Sequence, residues 1–226
     1  MLTDHWPLQG LRLTTPRLEL RLPEPGELAA LADLAAEGVH SPERMPFLVP
    51  WTDAPPAERA RGVVQHHWLR LGDWTPAAWQ LNLSVFAEGR LVGQQTLFAR
   101  DFGVLREASS GSWLGMRHQG KGIGTEMRAA VLHLAFAGLG AREAVTDAWE
   151  DNAPSLGVTR KLGYEPDGVE RRTRRGRPAT MLRFRLPRAR WEATARVPVH
   201  IEGLAPCLPL FGLDPAPGAG ADPGPA

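Results

Sequence analysis

The sequence predicts an α/β fold, a mixed sheet of the α+β kind and not a strictly alternating doubly wound one. Three observations carry this. Alternating apolar and polar runs occur in neighbouring pairs, as in "AWQLNLSVFAEGRLVGQQTLFAR", whose halves flank the turn "AEGR". Helical periodicity appears between such runs, but not after every one of them. Between one strand and the best helix lies "HQGKGIGTEM", with Gly120, Gly122 and Gly124 at alternate positions.

The elements follow in order. "LRLTTPRLELRLP" alternates around Leu11, Leu13, Leu18, Leu20 and Leu22 and reads as one strand, irregular at Pro16. "PGELAALADLAAEG" is a helix with Pro25 near its start and Gly38 just past its end. "SPERMPFLVPWTDAPP" is too irregular for a regular element, and "AERARGVVQHHWLRLGDW" is a second helix. The first hairpin comes next, and "REASSGSWLGM" is a further strand leading into the glycine loop. In "GTEMRAAVLHLAFAGLG", Ile123, Met127, Val131 and Leu134 fall near helical spacing, and Gly138 and Gly140 close the helix. "AREAVTDAW" is a short strand, "NAPSLGVTRKLG" a helix, and "YEPDGVERRTRRGRPATMLRFRL" a second hairpin. Residues 1–195 thus form the main domain. Residues 196–213 form an apolar extension, expected to be ordered and packed on its own domain or on a second subunit of a homodimer. Residues 214–226, rich in proline, glycine and alanine, are expected to be disordered.

Composition excludes several classes. The chain has 226 residues, 43% hydrophobic and 23% charged, which suits one soluble domain with a substantial core. A formal net charge of +1 supplies no global field to recruit nucleic acid or an anionic membrane. The opening "MLTDHWPLQGLRL" has neither a basic nor an apolar leader region, and "AAVLHLAFAGLGA" is too short to span a bilayer. Cys207 is the single cysteine, so no disulfide framework or zinc knuckle is expected. These features point to a cytoplasmic globular protein without a metal.

The glycine loop fits two common phosphate motifs only in part. Gly115 to Lys121 has P-loop spacing, but Gly122 follows where a serine or threonine would ligate magnesium. A dinucleotide fingerprint starting at Gly120 and Gly122 would need a third glycine at Thr125. What remains is Gln119-x-x-Gly122-x-Gly124, entered from a strand and leaving on a helix. Here the sequence resembles the GNAT acyltransferase superfamily, whose loop reads Q/R-x-x-G-x-G/A. Trp113-Leu114, Thr125-Glu126, Ala135-Phe136, Leu139-Gly140, Asn152-x-x-Ser155 and Leu162-Gly163-Tyr164 fall in the register of its RimJ/RimL-like subgroup. "TPRLELR" matches that subgroup's opening strand, and the resemblance covers about residues 11–187.

The resemblance implies a GNAT fold, with a central, mostly antiparallel sheet and helices on both faces. It also implies an N-acyltransferase using acyl-CoA, with acetyl-CoA the default donor and succinyl-CoA open because of "RRTRRGR". The acceptor is an amine, on a small molecule, a protein N-terminus or a lysine. Physically, successive N–H groups of Gln119, Gly120, Lys121, Gly122, Ile123 and Gly124 can cradle a pyrophosphate at the helix dipole without a metal. The pantetheine arm would lie beside the strand ending at Leu114–Met116, where a free N–H near Leu114 or Met116 could stabilise an oxyanion. Asn152 is both a natural N-cap and the family's pantetheine ligand. Arg160, Lys161 and Arg128 could reach a 3′-phosphate or could simply be solvated.

The catalytic groups are less evident. Ser109 stands where related enzymes often carry a glutamate, so Glu107 on the same strand face is the substitute base, with Glu150 and Asp151 as rivals. Thr159 occupies the position of the family's acidic tyrosine, and Tyr164 falls at a packing corner. Ser155, one turn after Asn152, is therefore the expected proton source for the leaving thiolate, unless it only caps its helix. Trp51, Trp68, Trp74 and Trp79 suggest an aromatic-walled acceptor cleft or plain core. His66 and His67 point to different helix faces and make a poor metal pair. "ERRTRRGRPA" is a solvated turn, a site for an acidic acceptor or acyl group, or an RNA contact. A non-catalytic acyl-CoA-binding or regulatory module is the alternative reading, and a nucleotide hydrolase a distant third.

Overall fold

Proline at position 16 turns the chain, where the sequence reading placed one irregular strand. The computed structural model, which describes residues 1–194 and 197–214, divides that stretch into β1 (Arg12–Thr14) and β2 (Leu18–Arg21). They pair antiparallel with Leu13 opposite Leu20. Pro16 has no N–H for a ladder, and Thr15 closes the turn by donating its N–H to the Leu18 carbonyl at 2.9 Å. The Leu18 N–H returns to the Thr15 hydroxyl at 2.9 Å.

The later elements fall close to their sequence signals. Helix α2 (Pro25–Glu37) has proline in its first turn and ends at Gly38, whose φ of +117° only glycine adopts readily. Then come α3 (Pro56–Gly72) and the hairpin β3 (Ala78–Ala87) and β4 (Arg90–Arg100). Strand β5 (Glu107–Leu114) leads into the glycine loop and α5 (Ile123–His133), which continues as a π turn through Gly138. Strand β6 (Glu143–Trp149), helix α6 (Ala153–Lys161) and the hairpin β7 (Glu165–Arg174) and β8 (Arg177–Pro187) complete the predicted set. Short helices α1 (Leu2–His5), α4 (Phe102–Leu105) and α7 (Arg188–Ala193) had no clear periodicity, being under two turns long.

A further strand, β9 (His200–Glu202), makes the sheet nine-stranded in the order β7-β8-β6-β5-β4-β3-β2-β1-β9. All neighbours are antiparallel except β5 and β6. A parallel pair needs a crossover, which α5 supplies. Their pairing lasts only from Glu107↔Glu143 to Ser109↔Val145, and beyond it the strands part. On one face α2 and α3 bury Leu28, Leu31 and Val63 against Leu91 and Trp113. On the other, Ala108 and Leu114 join Ile123 and Met127 of α5 in the main core.

Two expected aromatic-cleft residues belong to that core. Trp79 meets Phe211 edge-on at 4.8 Å, and Trp74 donates its indole N–H to the Leu210 carbonyl at 2.8 Å. The segment Ala205–Phe211, with Cys207 and Phe211 fully buried, covers both rings. Burial pushes the Cys207 thiol up to about 11. Trp68 is 62% exposed and walls nothing. The four tryptophans therefore do not line one cleft. Residues 215–226, most of the expected tail, lie outside the described residues. Among the described residues no helix is long and apolar enough to cross a membrane.

Candidate active site

The glycine loop presents a run of unsatisfied donors. The His118 N–H bonds the Gly115 carbonyl and the Gln119 N–H bonds that of Met116. The next N–H groups to find acceptors are those of Thr125 and Glu126, which share the Gly122 carbonyl. From Gly120 to Gly124, five consecutive N–H groups have no acceptor among the described residues. Gly120 (φ +74°) and Gly122 (φ +80°) curve them into a concave nest, and a Cβ on Gly120 would meet open space. Five donors without acceptors among the described residues, at the head of an 11-residue helix, are what binding of an anion requires.

The nest is held from two sides. Gln119 donates its side-chain amide to the carbonyls of Leu114 at 2.9 Å and Val39 at 2.7 Å, tying the loop to the end of β5. From the β1–β2 turn, Arg17 donates to the Lys121 carbonyl at 3.2 Å and to the buried Glu126 carboxylate at 2.6 Å. The Thr15 hydroxyl and the Arg17 backbone N–H donate to the same carboxylate. The "TPRLELR" strand and Thr125-Glu126, far apart in the sequence, thus meet at this carboxylate.

Beside the nest opens the gap between β5 and β6. The Gly115 N–H bonds the Val92 carbonyl of β4, so alternation turns the N–H groups of Ser112 and Leu114 the other way, into the gap. Met116 does not offer a free N–H, since its own donates to the Gly38 carbonyl at 3.4 Å. Asn152 caps α6 by accepting the Ser155 N–H at 3.3 Å, which leaves its amide NH₂ available. The half-buried Ser155 hydroxyl has no partner among the described residues. Arg160 is exposed and donates its Nε to the Leu156 carbonyl of its own helix. Arg128 is buried and donates to the Thr159 hydroxyl at 3.0 Å, so it cannot reach out to a nucleotide. Burial lowers its pKa.

The carboxylates sort themselves by partner. Glu107 lies at the closed end of the β5–β6 pair, seven residues before Leu114 and roughly 23 Å along the strand from it. It is bound by Arg185, which also holds Glu143 and Asp167. Both facts remove Glu107 from the gap and correct its expected role. Pairing with Arg174 holds the Asp151 carboxyl below its ordinary range.

Asp147, which the sequence reading passed over, stands two residues beyond the last β5–β6 pair. By alternation it is on the same sheet face as Glu143 and the Glu107–Arg185 pair. Its carboxylate has no hydrogen bond or ion pair among the described residues. Although the residue is exposed, desolvation by its surroundings raises its carboxyl pKa; Arg172 opposes and Glu170 adds to that shift. Strict strand alternation in "AREAVTDAW" was the only signal that could have marked it.

Over this face lies an aromatic wall. Phe47 and Trp51 pack at 5.2 Å, and Trp51 packs on Trp113 of β5 at 5.8 Å. The Trp149 indole donates to the Phe47 carbonyl at 3.3 Å. Of the expected aromatic residues, only Trp51 serves here. His67 is buried and pushed down to about 4 by desolvation, while His66 bonds Gln80.

A sheet parted beside an anion nest at a helix head defines an acyl-CoA-binding transferase fold. The sequence model of the acetyltransferase (GNAT) domain matches residues 17–165, and the chain belongs to that family. A Bacillus subtilis (strain 168) protein called Probable N-acetyltransferase YjcK is 33% identical over 86 residues, 38% of this chain and 48% of that protein. The match thus spans about half that relative's length. Among solved structures, Mycobacterium smegmatis RimJ in complex with CoA-disulfide superposes with a TM-score of 0.62 at 20% identity, over 80% of this chain and 88% of that one. RimL, a ribosomal α-N-protein acetyltransferase in complex with coenzyme A, gives 0.60 at 19% identity, over 76% and 95%. At such identities these two show the shared fold.

Proposed function

We propose that this chain is an N-acetyltransferase that moves the acetyl group of acetyl-CoA to an amine by direct attack in a ternary complex. The observation that carries this reading is the run of five unsatisfied N–H groups from Gly120 to Gly124, in the register that GNAT proteins use for a pyrophosphate. Lys121 and Arg160, both exposed, would meet the outer phosphates. The Leu114 N–H and the Asn152 amide would hold the pantetheine arm in the gap, presenting the thioester between β5 and β6.

Asp147 is the base in this reading. It stands on β6 beside the gap and takes the proton that the attacking ammonium must lose, directly or through one water. The amine nitrogen then forms a bond to the acetyl carbon. The Leu114 N–H stabilises the oxyanion, and collapse breaks the carbon–sulfur bond. The Ser155 hydroxyl hydrogen-bonds the departing thiolate and relays a proton to it from water. Neither side chain has another partner among the described residues, as groups awaiting a substrate should be.

Thiol release from acetyl-CoA across an amine panel, with calorimetric titration of acetyl-CoA, tests the reading. Binding with amine-dependent thiol release supports it. Binding without release on any amine favours the non-catalytic module, and absence of binding overturns the nest assignment.

A further inference from the structure

At the tip of the β7–β8 hairpin a second feature opens onto the same sheet face. A cavity of about 510 Å³ lies between the hairpin tip, residues 43–45 and Asp151. Four arginines line it: Arg44, Arg174, Arg175 and Arg177. Two are fixed and neutralised. Arg174 makes a bidentate pair with Asp151 at 2.7 and 2.8 Å and stacks over Trp149 at 4.9 Å. Arg175 is held by Asp53 and by the Pro42 carbonyl at 3.2 Å. These bonds fasten the hairpin tip to residues 42–53 and give the cavity rigid walls.

The other two arginines are unspent. The side chains of Arg44 and Arg177 have no hydrogen bond and no ion pair among the described residues; in the wall they are opposed by the unpaired Glu43 and, at longer range, by Asp151, which Arg174 already pairs. Two free guanidiniums against one free carboxylate favour an anion, and the planar fork of each suits a carboxylate bidentately. Asp151 immediately precedes Asn152, so the wall begins about 3.8 Å, one Cα step, from the residue assigned to the pantetheine. Asp147, Trp149, Glu170, Arg172 and Arg174 share the sheet face that leads from the gap to the cavity, by strand register.

We propose that this cavity seats a carboxylate of the acceptor, so that the chain selects amines carried on acidic molecules. The inference rests on the acetyltransferase reading and names the substrate class for that site. With the amine at Asp147, the rest of the acceptor runs along β6 toward Arg44 and Arg177. The carboxylate belongs either to an acidic residue just after a reacting peptide N-terminus or to a small amino acid.

Two acceptor pairs test it at low salt. One is a pair of peptides with free N-termini differing only in Asp-Glu against Asn-Gln at positions two and three. The other is a small amine with and without a carboxylate. The expected kcat/KM ratio, acidic over neutral, is tenfold or more in one pair, which identifies the source, and it falls as salt screens the guanidiniums. In the Arg44→Gln/Arg177→Gln protein the ratio should approach one, while Arg177→Lys should keep its sign. A ratio near one in the unaltered protein, or one that survives the double substitution, overturns the proposal. So does charge discrimination that tracks succinyl-CoA against acetyl-CoA on a neutral amine. Should no amine be acetylated, the acetyltransferase reading fails by itself, and calorimetric binding of the acidic peptide still reads the cavity.

Discussion

Replacing Arg17 by alanine should destabilise the protein more than removing the carboxylate it binds. Glu126 is the buried member of the pair, its side chain 7% exposed against 53% for Arg17. With Arg17 truncated, Glu126 keeps the Thr15 hydroxyl at 2.6 Å and the backbone N–H of residue 17 at 3.2 Å, but loses its countercharge. A buried charge stripped of its partner costs about 3–5 kcal/mol, and the two remaining donors bring the expectation to about 3 kcal/mol. In the reverse case, Glu126→Ala, Arg17 rehydrates and Thr15 can turn to the Leu18 carbonyl at 3.4 Å, so about 2 kcal/mol is expected. For a chain of this length each kcal/mol lowers Tm by about 2–4 °C, so Arg17→Ala should melt roughly 6–12 °C lower. The double variant should fall short of the sum, because the two residues share one interaction. Arg17 also holds the Lys121 carbonyl, so acetyl-CoA affinity should drop about 5- to 10-fold, the scale of one or two loop hydrogen bonds. Urea unfolding and calorimetric titration read both effects. Additive single substitutions, or a milder Arg17→Ala than Glu126→Ala, would refute the view that this buried carboxylate anchors the nest.

Three more expectations follow from the site. Gly122→Val places a branched residue at φ +80°, costing about 1–2 kcal/mol, and should weaken acetyl-CoA binding more than tenfold. Gly124→Ala meets only ordinary contacts at 3.8 and 3.9 Å and should bind within about twofold of the parent, both by titration. Ser155→Ala should lower kcat about 10- to 100-fold with acetyl-CoA affinity little changed. Thr159→Ala should instead cost stability, since it strips the buried Arg128 of its hydroxyl partner. Asp147→Asn should lower kcat about 10²- to 10⁴-fold and yet raise Tm at pH 7. The sign follows from the raised carboxyl. Its folded form favours the proton, so its stabilisation is full below the unfolded pKa and lost as pH rises through the folded one. Activity should climb across the same window, and a pH profile of kcat/KM together with melting curves checks both.

What the sequence could express locally, it expressed well. Hairpins announce themselves because their turn and both strands are contiguous, as with "AEGR" between β3 and β4. The glycine loop was legible because positive φ demands glycine at Gly120 and Gly122. What failed was decided by partners far along the chain. Glu107 looked like a base until Arg185, 78 residues away, occupied it. Trp74 and Trp79 looked like cleft walls because nothing nearby in sequence reveals Phe211 over them. Asp147 is one aspartate in a short strand, and only the parting of β5 from β6, which no local pattern announces, sets its position apart.

The pairing of β9 with β1 has a bearing on how the molecule is made. It joins residues 200–202 to residues 12–14, so β1 stays uncovered on one side until every strand between the two in the chain has been made. A nascent chain must therefore carry an open sheet edge while all the intervening strands are made, the condition under which strands of different molecules pair with one another. The two strands that meet there are only three residues each, and β1 carries Arg12 while β9 carries His200 and Glu202. Short length and charge keep that waiting edge unattractive to strangers until its own partner arrives.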